Sequence, residues 1–206
     1  MALVSSFELL FEPIIPVLAQ NTPNAPKIDP PPAPDPLVIQ SFFAFITNFD
    51  SLATAKFTLQ FTATVNSTLD PSQTFGLFDI DNTNFLAEFR TTPATTPGAT
   101  SASAIFAFND LQLAPQTTGL FLLQPDVNFL ISQLPTKNGK PDLQAANAGL
   151  RGYVEVLPDQ ASDMLPPPLL ISPQTRGTFI DPNTGQVLAE EAYPLPTPTG
   201  ANLFSF

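Results

Sequence analysis

Carboxylate pairs are the only serious option for acid–base chemistry in this sequence, with Ser–Lys pairs formally open through its four Lys. The candidates are Asp79, Asp81, Glu88, Glu155, Glu190 and Glu191. A glycoside-cleaving site needs two acids about 5 to 10 Å apart across a cleft. Asp79 and Asp81 stand two apart in an Asn- and Asp-rich stretch, and Glu190 and Glu191 are adjacent. Both pairs read more simply as solvated loop acids. The chain has no His and no Cys, which removes the commonest general base, the thiolate nucleophile and every His or Cys metal ligand. No nucleophile elbow, phosphate-binding P-loop or dinucleotide fingerprint occurs. These residues lead us to expect a protein that is not an enzyme and carries no cofactor.

A hard cation is the remaining chemical option. Asp79, Asp81 and Thr83 place oxygen atoms at alternate positions, as the opening of a calcium loop does. The pattern then departs from such a loop: no Gly stands at the sixth position, and Arg90 occupies the twelfth, where a bidentate Glu belongs. An Asx-rich β-turn accounts for the stretch equally well. The triplet Asn66-Ser67-Thr68 is a glycosylation sequon that chance alone supplies often. Arg151 and Arg176 each precede a Gly, and cross-strand pairing with carboxylates, Glu155 among them, is their simplest use.

The elements that must hold such residues follow from composition. The 206 residues include 25 Pro, 19 Phe, two Tyr and no Trp. Proline spread along a chain suits loops and edge strands and breaks helices. Phenylalanine gives a core large apolar area with no polar atom to satisfy. Charged residues make up 12% of the chain, against roughly 25% in an ordinary domain, and the net charge is −11. The negative sign repels phosphate, so we expect no nucleic-acid partner, and the absence of an apolar run of about 18 residues argues against membrane insertion by a helix.

The clearest strand is Lys56 to Ser67, where Phe57, Leu59, Phe61, Ala63 and Val65 alternate with polar residues at a period of two. Further strands are expected at Leu37–Phe49, Thr74–Ile80, Asn84–Thr91, Ala102–Phe108, Gly119–Gln124, Leu150–Leu157, Leu169–Ser172, Gly177–Ile180 and Gln186–Ala189, separated by clusters such as LDPSQ, DIDNTN and LPTKNGKPD. Asp181-Pro182-Asn183-Thr184-Gly185 reads as a hairpin turn with Gly in the left-handed region. Helical signal is confined to Asp126–Leu134, with an Asp cap, and to a turn or two over Asp142–Gly149. The expectation is an all-β protein: an antiparallel β-sandwich or jelly-roll-like domain over 37–206, with at most one or two short helices.

Residues 1–36 read as a separate arm. The first twenty lack a basic start and are interrupted by Glu8, Glu12, Pro13 and Pro16, which makes a poor secretory signal ending near Ala19. A short amphipathic segment with Phe7, Leu10 and Phe11 on one face is the better reading. Prolines at 23, 26, 30–32, 34 and 36 then form an extended spacer.

Apolar ends on an acidic chain need cover, from their own core or from a neighbour. Phe7, Leu10, Phe11, Ile14, Ile15, Leu203, Phe204 and Phe206 are therefore the expected assembly residues. The sequence supports a structural subunit that joins copies of itself into an extracellular fibre, surface layer or coat. A structural or decorating protein of a virus particle is the first alternative. A non-catalytic carbohydrate- or ligand-binding sandwich is the second, weakened because Tyr153 and Tyr193 are its only polar aromatic platforms.

Overall fold

Among the described residues there are thirteen strands, β1 to β13, most of them packed around a phenylalanine core. The structure is a computed structural model, and it describes residues 1–14, 35–63, 67–80, 83–86 (backbone), 105–159 and 166–205. In chain order the strands are β1 Ala2–Pro13, β2 Leu37–Asn48, β3 Ala55–Ala63, β4 Thr74–Ile80, β5 Thr83–Leu86, β6 Ile105–Leu113 and β7 Thr118–Pro125. They continue with β8 Thr136–Lys137, β9 Lys140–Pro141, β10 Ala148–Pro158, β11 Leu169–Ile180, β12 Val187–Pro194 and β13 Leu203–Phe204. One α-helix, α1, spans Val127–Gln133, and Asp126 caps it by accepting from the Phe129 N–H. Two 3₁₀ turns, Pro71–Gln73 and Leu143–Ala145, are capped in the same way by Asp70 and Asp142.

All strand pairs are antiparallel, and the sheet forks at β2. One edge of β2 pairs with β11 along its full length, from Leu37 opposite Ile180 to Asn48 opposite Leu169. Its other edge is shared: Leu37–Gln40 pair with β1, and Phe42–Thr47 pair with β7. Beyond β1 the sheet continues through β10 and β3 to β6, and beyond β7 it continues through β4 to β5. The two branches turn their apolar faces toward each other and close a sandwich.

Phenylalanine from both branches fills the space between them. Phe61 of β3 stacks on Phe121 of β7 at 5.2 Å between ring centroids. Phe108 of β6 meets Phe121 edge-on at 4.4 Å, and Phe57 of β3 meets Phe78 of β4 at 6.2 Å. Edge-to-face and offset pairs contribute about 0.5–1.5 kcal/mol each beyond area burial. This core has little polar content. An exception is fully buried Asn48, whose Nδ2 donates to the carbonyls of Ala53, Leu113 and Ala114 while its Oδ1 accepts from the Asp50 N–H. Its amide thereby satisfies loop groups that would otherwise be buried without partners.

The expected all-β, sandwich-like architecture is what the structure shows, with corrections at three places. The first concerns 1–36. Ala2–Pro13 is an inner strand, hydrogen-bonded to β10 on one side and to β2 on the other. Phe7, Leu9 and Phe11 are buried while Glu8 and Glu12 point outward, so the glutamates that seemed to interrupt an apolar run occupy the wet face of a period-two strand. A bulge between Leu3 and Ser5 puts both Val4 and Ser5 inside and hides that period at the start of the strand. The proline-rich 21–36 stretch falls almost wholly outside the described residues.

The second correction is at β11, where two expected strands are one. Pro173 was a natural place to break the chain. Its carbonyl accepts from the Leu195 N–H, on the side away from β2. A residue's N–H and C=O leave a strand on the same side, so the donor that proline lacks would have faced away from β2 as well, where β11 changes partner from β13 to β12. No hydrogen bond of the β2 ladder is lost. The third correction is the C-terminal tail. Leu203 and Phe204 pair with Leu170 and Leu169, and Phe204 is buried against this chain's own core.

Candidate functional site

The residues expected to act divide into buried and exposed sets. Phe7 and Phe11 are core, Leu10 is half-buried on β1, and Ile14 is exposed just after that strand. Ile15 and Phe206 lie outside the described residues. Leu203 is exposed and Phe204 is buried. Three of these eight residues, Phe7, Phe11 and Phe204, therefore serve the body of their own fold.

Among the described residues the acids likewise do not converge, and Glu88 lies outside those residues. Asp79 sits within β4 opposite Asn84, and Ile80 pairs with Thr83. That pairing leaves two residues between β4 and β5, too few to wrap a cation in the manner of a calcium loop. Asp81 lies outside the described residues. Among the described residues no three acids gather in a way that could hold a metal. Glu190 and Glu191 are neighbours on β12, so their side chains leave opposite faces of the strand. Glu155 is buried on β10 and accepts from Gln60 Nε2 at 3.4 Å. Arg151 pairs with Glu8 directly across the β1–β10 ladder, a cross-strand ion pair of the kind the sequence suggests. Arg176 lies over the ring of Phe43, 4.2 Å from its centroid, a cation–π contact rather than an ion pair.

A different surface stands out. Strands β11 and β12 form a hairpin ribbon at the edge of the sheet, with β11 paired to β2 on one side and to β12 on the other. Along β11, burial fades from Leu169 and Ile171, which are sealed in the core, to the half-exposed run Gln174–Ile180. All eight residues of β12 are exposed. Val187, Leu188 and Tyr193 keep 51%, 54% and 54% of their surface open to water, high values for apolar side chains at strand positions. The outer edge of β12 has no strand partner among the described residues, since β12 pairs with β11 alone.

The ribbon is nevertheless well formed at its tip. Asp181 Oδ1 accepts from the Asn183 N–H at 2.8 Å and Oδ2 accepts from the Thr184 hydroxyl at 2.9 Å. The Gly185 N–H donates to the Asp181 carbonyl, with Gly185 at φ +73°, a conformation glycine adopts without steric cost. The Asn183 and Thr184 donors hold the Asp181 carboxyl below its ordinary pKa. The sequence motif that named this turn was sound, whereas the length of β12 was missed because VLAEEAYP lacks the alternation of a half-buried strand. With both faces wet, it had no reason to show one.

No protein-family model matches this sequence, and no curated protein is detectably similar to it.

Proposed function

We propose that this chain is a structural subunit that assembles with copies of itself, and that the β11–β12 ribbon carries the joining surface. The observation behind this reading is β12, a fully exposed strand with an open edge and three large apolar side chains. Open strand edges template pairing with another chain unless they are covered or blocked, and addition of a strand to such an edge is a recurrent mode of protein recognition. The absence of His, Cys and known catalytic motifs, together with acids that do not converge, favours a non-enzymatic role. A sparsely charged, acidic, cysteine-free surface fits an extracellular or cell-surface setting. A carbohydrate-binding role has less support, because Tyr153 and Tyr193 stand on β10 and β12, which do not pair with each other.

Sedimentation velocity over a wide concentration range, with electron microscopy of the concentrated sample, tests the reading. Species larger than a monomer are expected to grow with concentration. The double variant L188K/Y193K should stay monomeric with an unchanged circular dichroism spectrum. A wild-type chain that remains monomeric at every concentration ends this proposal.

A further inference from the structure

The ribbon has an electrostatic counterpart elsewhere on the chain. Strands β8 and β9 form a separate two-stranded hairpin whose residues, Thr136 to Pro141, are all exposed. Its turn residues Asn138 and Gly139 both have positive φ, +54° and +75°, the type I′ geometry that closes a two-residue hairpin. The Asp142 N–H donates to the Pro135 carbonyl at 2.7 Å and closes the base. Lys137 stands directly opposite Lys140 in this hairpin.

That arrangement is unfavourable by itself. Like charges directly opposite each other destabilise a strand pair, and no ion pair joins either lysine to a carboxylate among the described residues. The chain as a whole carries −11, with only seven basic residues. Arg151 is paired with Glu8 and Arg176 is held over Phe43. The hairpin is thus a concentrated positive point on a negative molecule. The ribbon is its opposite, with Glu190 and Glu191 at the middle of the open strand, one on each face, and Asp181 at the tip.

We infer that the occupant of the β12 edge is the β8–β9 hairpin of a second copy, with Lys137 and Lys140, which share one face of that hairpin, seated against Glu190, while Glu191 on the other face accepts from the Tyr193 hydroxyl. This inference rests on the self-assembly reading above and specifies its contact. Self-pairing of two β12 strands is opposed by the same charges, because antiparallel registers centred on the strand bring glutamates of the two copies opposite or next to one another. A hairpin-to-ribbon contact joins two different surfaces. Such a heterologous contact need not close on itself, so it gives a chain of subunits rather than a dimer.

Two full-length charge-reversal variants test it, K137E/K140E and E190K/E191K, each compared with wild type by sedimentation velocity. Each variant alone should self-associate roughly tenfold more weakly or worse, since reversed charges place like signs across the contact. An equimolar mixture should recover assembly, because each variant then supplies the surface that complements the other. Wild-type association should weaken in 1 M salt, where the screening length falls to about 3 Å. Thermal melting of both variants should match wild type, since the reversed residues are exposed. If wild type assembles and the reversals change nothing, or the mixture fails to recover, the hairpin contact is wrong while the assembly reading stands. If wild type never assembles, both are wrong.

Discussion

The sandwich body and the β11–β12 ribbon are built from the same kind of hairpin, yet they use their side chains in opposite ways. In the body β1, β2, β3, β4, β6, β7 and β10 each hide one face, and the hidden faces meet as interlocking phenylalanine rings. In the ribbon β12 hides neither face. A strand that buries nothing adds little to the stability of its own chain, since most of the favourable free energy of folding comes from apolar area removed from water. Its exposed Val187, Leu188 and Tyr193 are the side chains that the proposed assembly would cover.

The comparison can be broken most forcefully in the body. Gly152 lies between Phe7 and Ala63 in the β1–β10–β3 ladder. A Cβ at this position would stand 2.0 Å from the Thr62 carbonyl oxygen and 2.8 Å from the Phe7 ring. The obstacle at Thr62 is backbone and cannot swing aside, so G152V should abolish folding, seen as an insoluble protein or one without a cooperative melt. A soluble G152V variant with wild-type melting would overturn the close approach of β10 to β3 at this position.

Truncation gives a graded version of the same contrast. Phe121 is fully buried and touches Phe42, Phe61, Phe78 and Phe108. F121A should cost about 3–5 kcal/mol, whereas L188A on the ribbon should stay within about 0.5 kcal/mol, as exposed substitutions do. Urea denaturation of the two variants measures the difference, and equal losses would erase the distinction between body and ribbon.

The smallest expected effect sharpens the ribbon itself. The Asp181 carboxyl titrates below the ordinary value in the fold, so its contribution to the turn is present above the pKa of an unfolded Asp, about 3.9. That contribution is lost as pH falls through the lower folded value. Between neutral pH and pH 5 the turn should be unchanged, and further acidification should move the Asn183 and Thr184 amide resonances. D181N should remove that titration while leaving the melting of the body untouched. An Asn183 resonance that titrates identically in D181N would assign the effect to another acid.

How much of this was legible in the sequence depended on whether a residue's surroundings matched its neighbours along the chain. Strand β3, half buried and regularly alternating, could be read directly from Phe57 to Ala63. The Asp181–Gly185 turn and the Asp126 helix cap could be read because their chemistry is local. Strand β1 could not, since its glutamates resemble breaks in an apolar segment until β10 supplies Arg151 opposite Glu8. The exposure of β12 could not either, because no pattern within eight residues announces that both faces are wet. The expected assembly residues were chosen for being apolar and terminal, and Phe7, Phe11 and Phe204 are apolar because the body needs them.

The inner position of β1 has a consequence during synthesis. Glu8 must wait for Arg151, 143 residues later, and only the last residues of β1 find partners on β2 beforehand. At roughly 5–20 residues per second of translation, β1 waits on the order of ten seconds or more for the strand that pairs with most of its length. Over that interval the apolar face of β1 stays open to wrong pairings, the exposure through which incompletely folded strands aggregate.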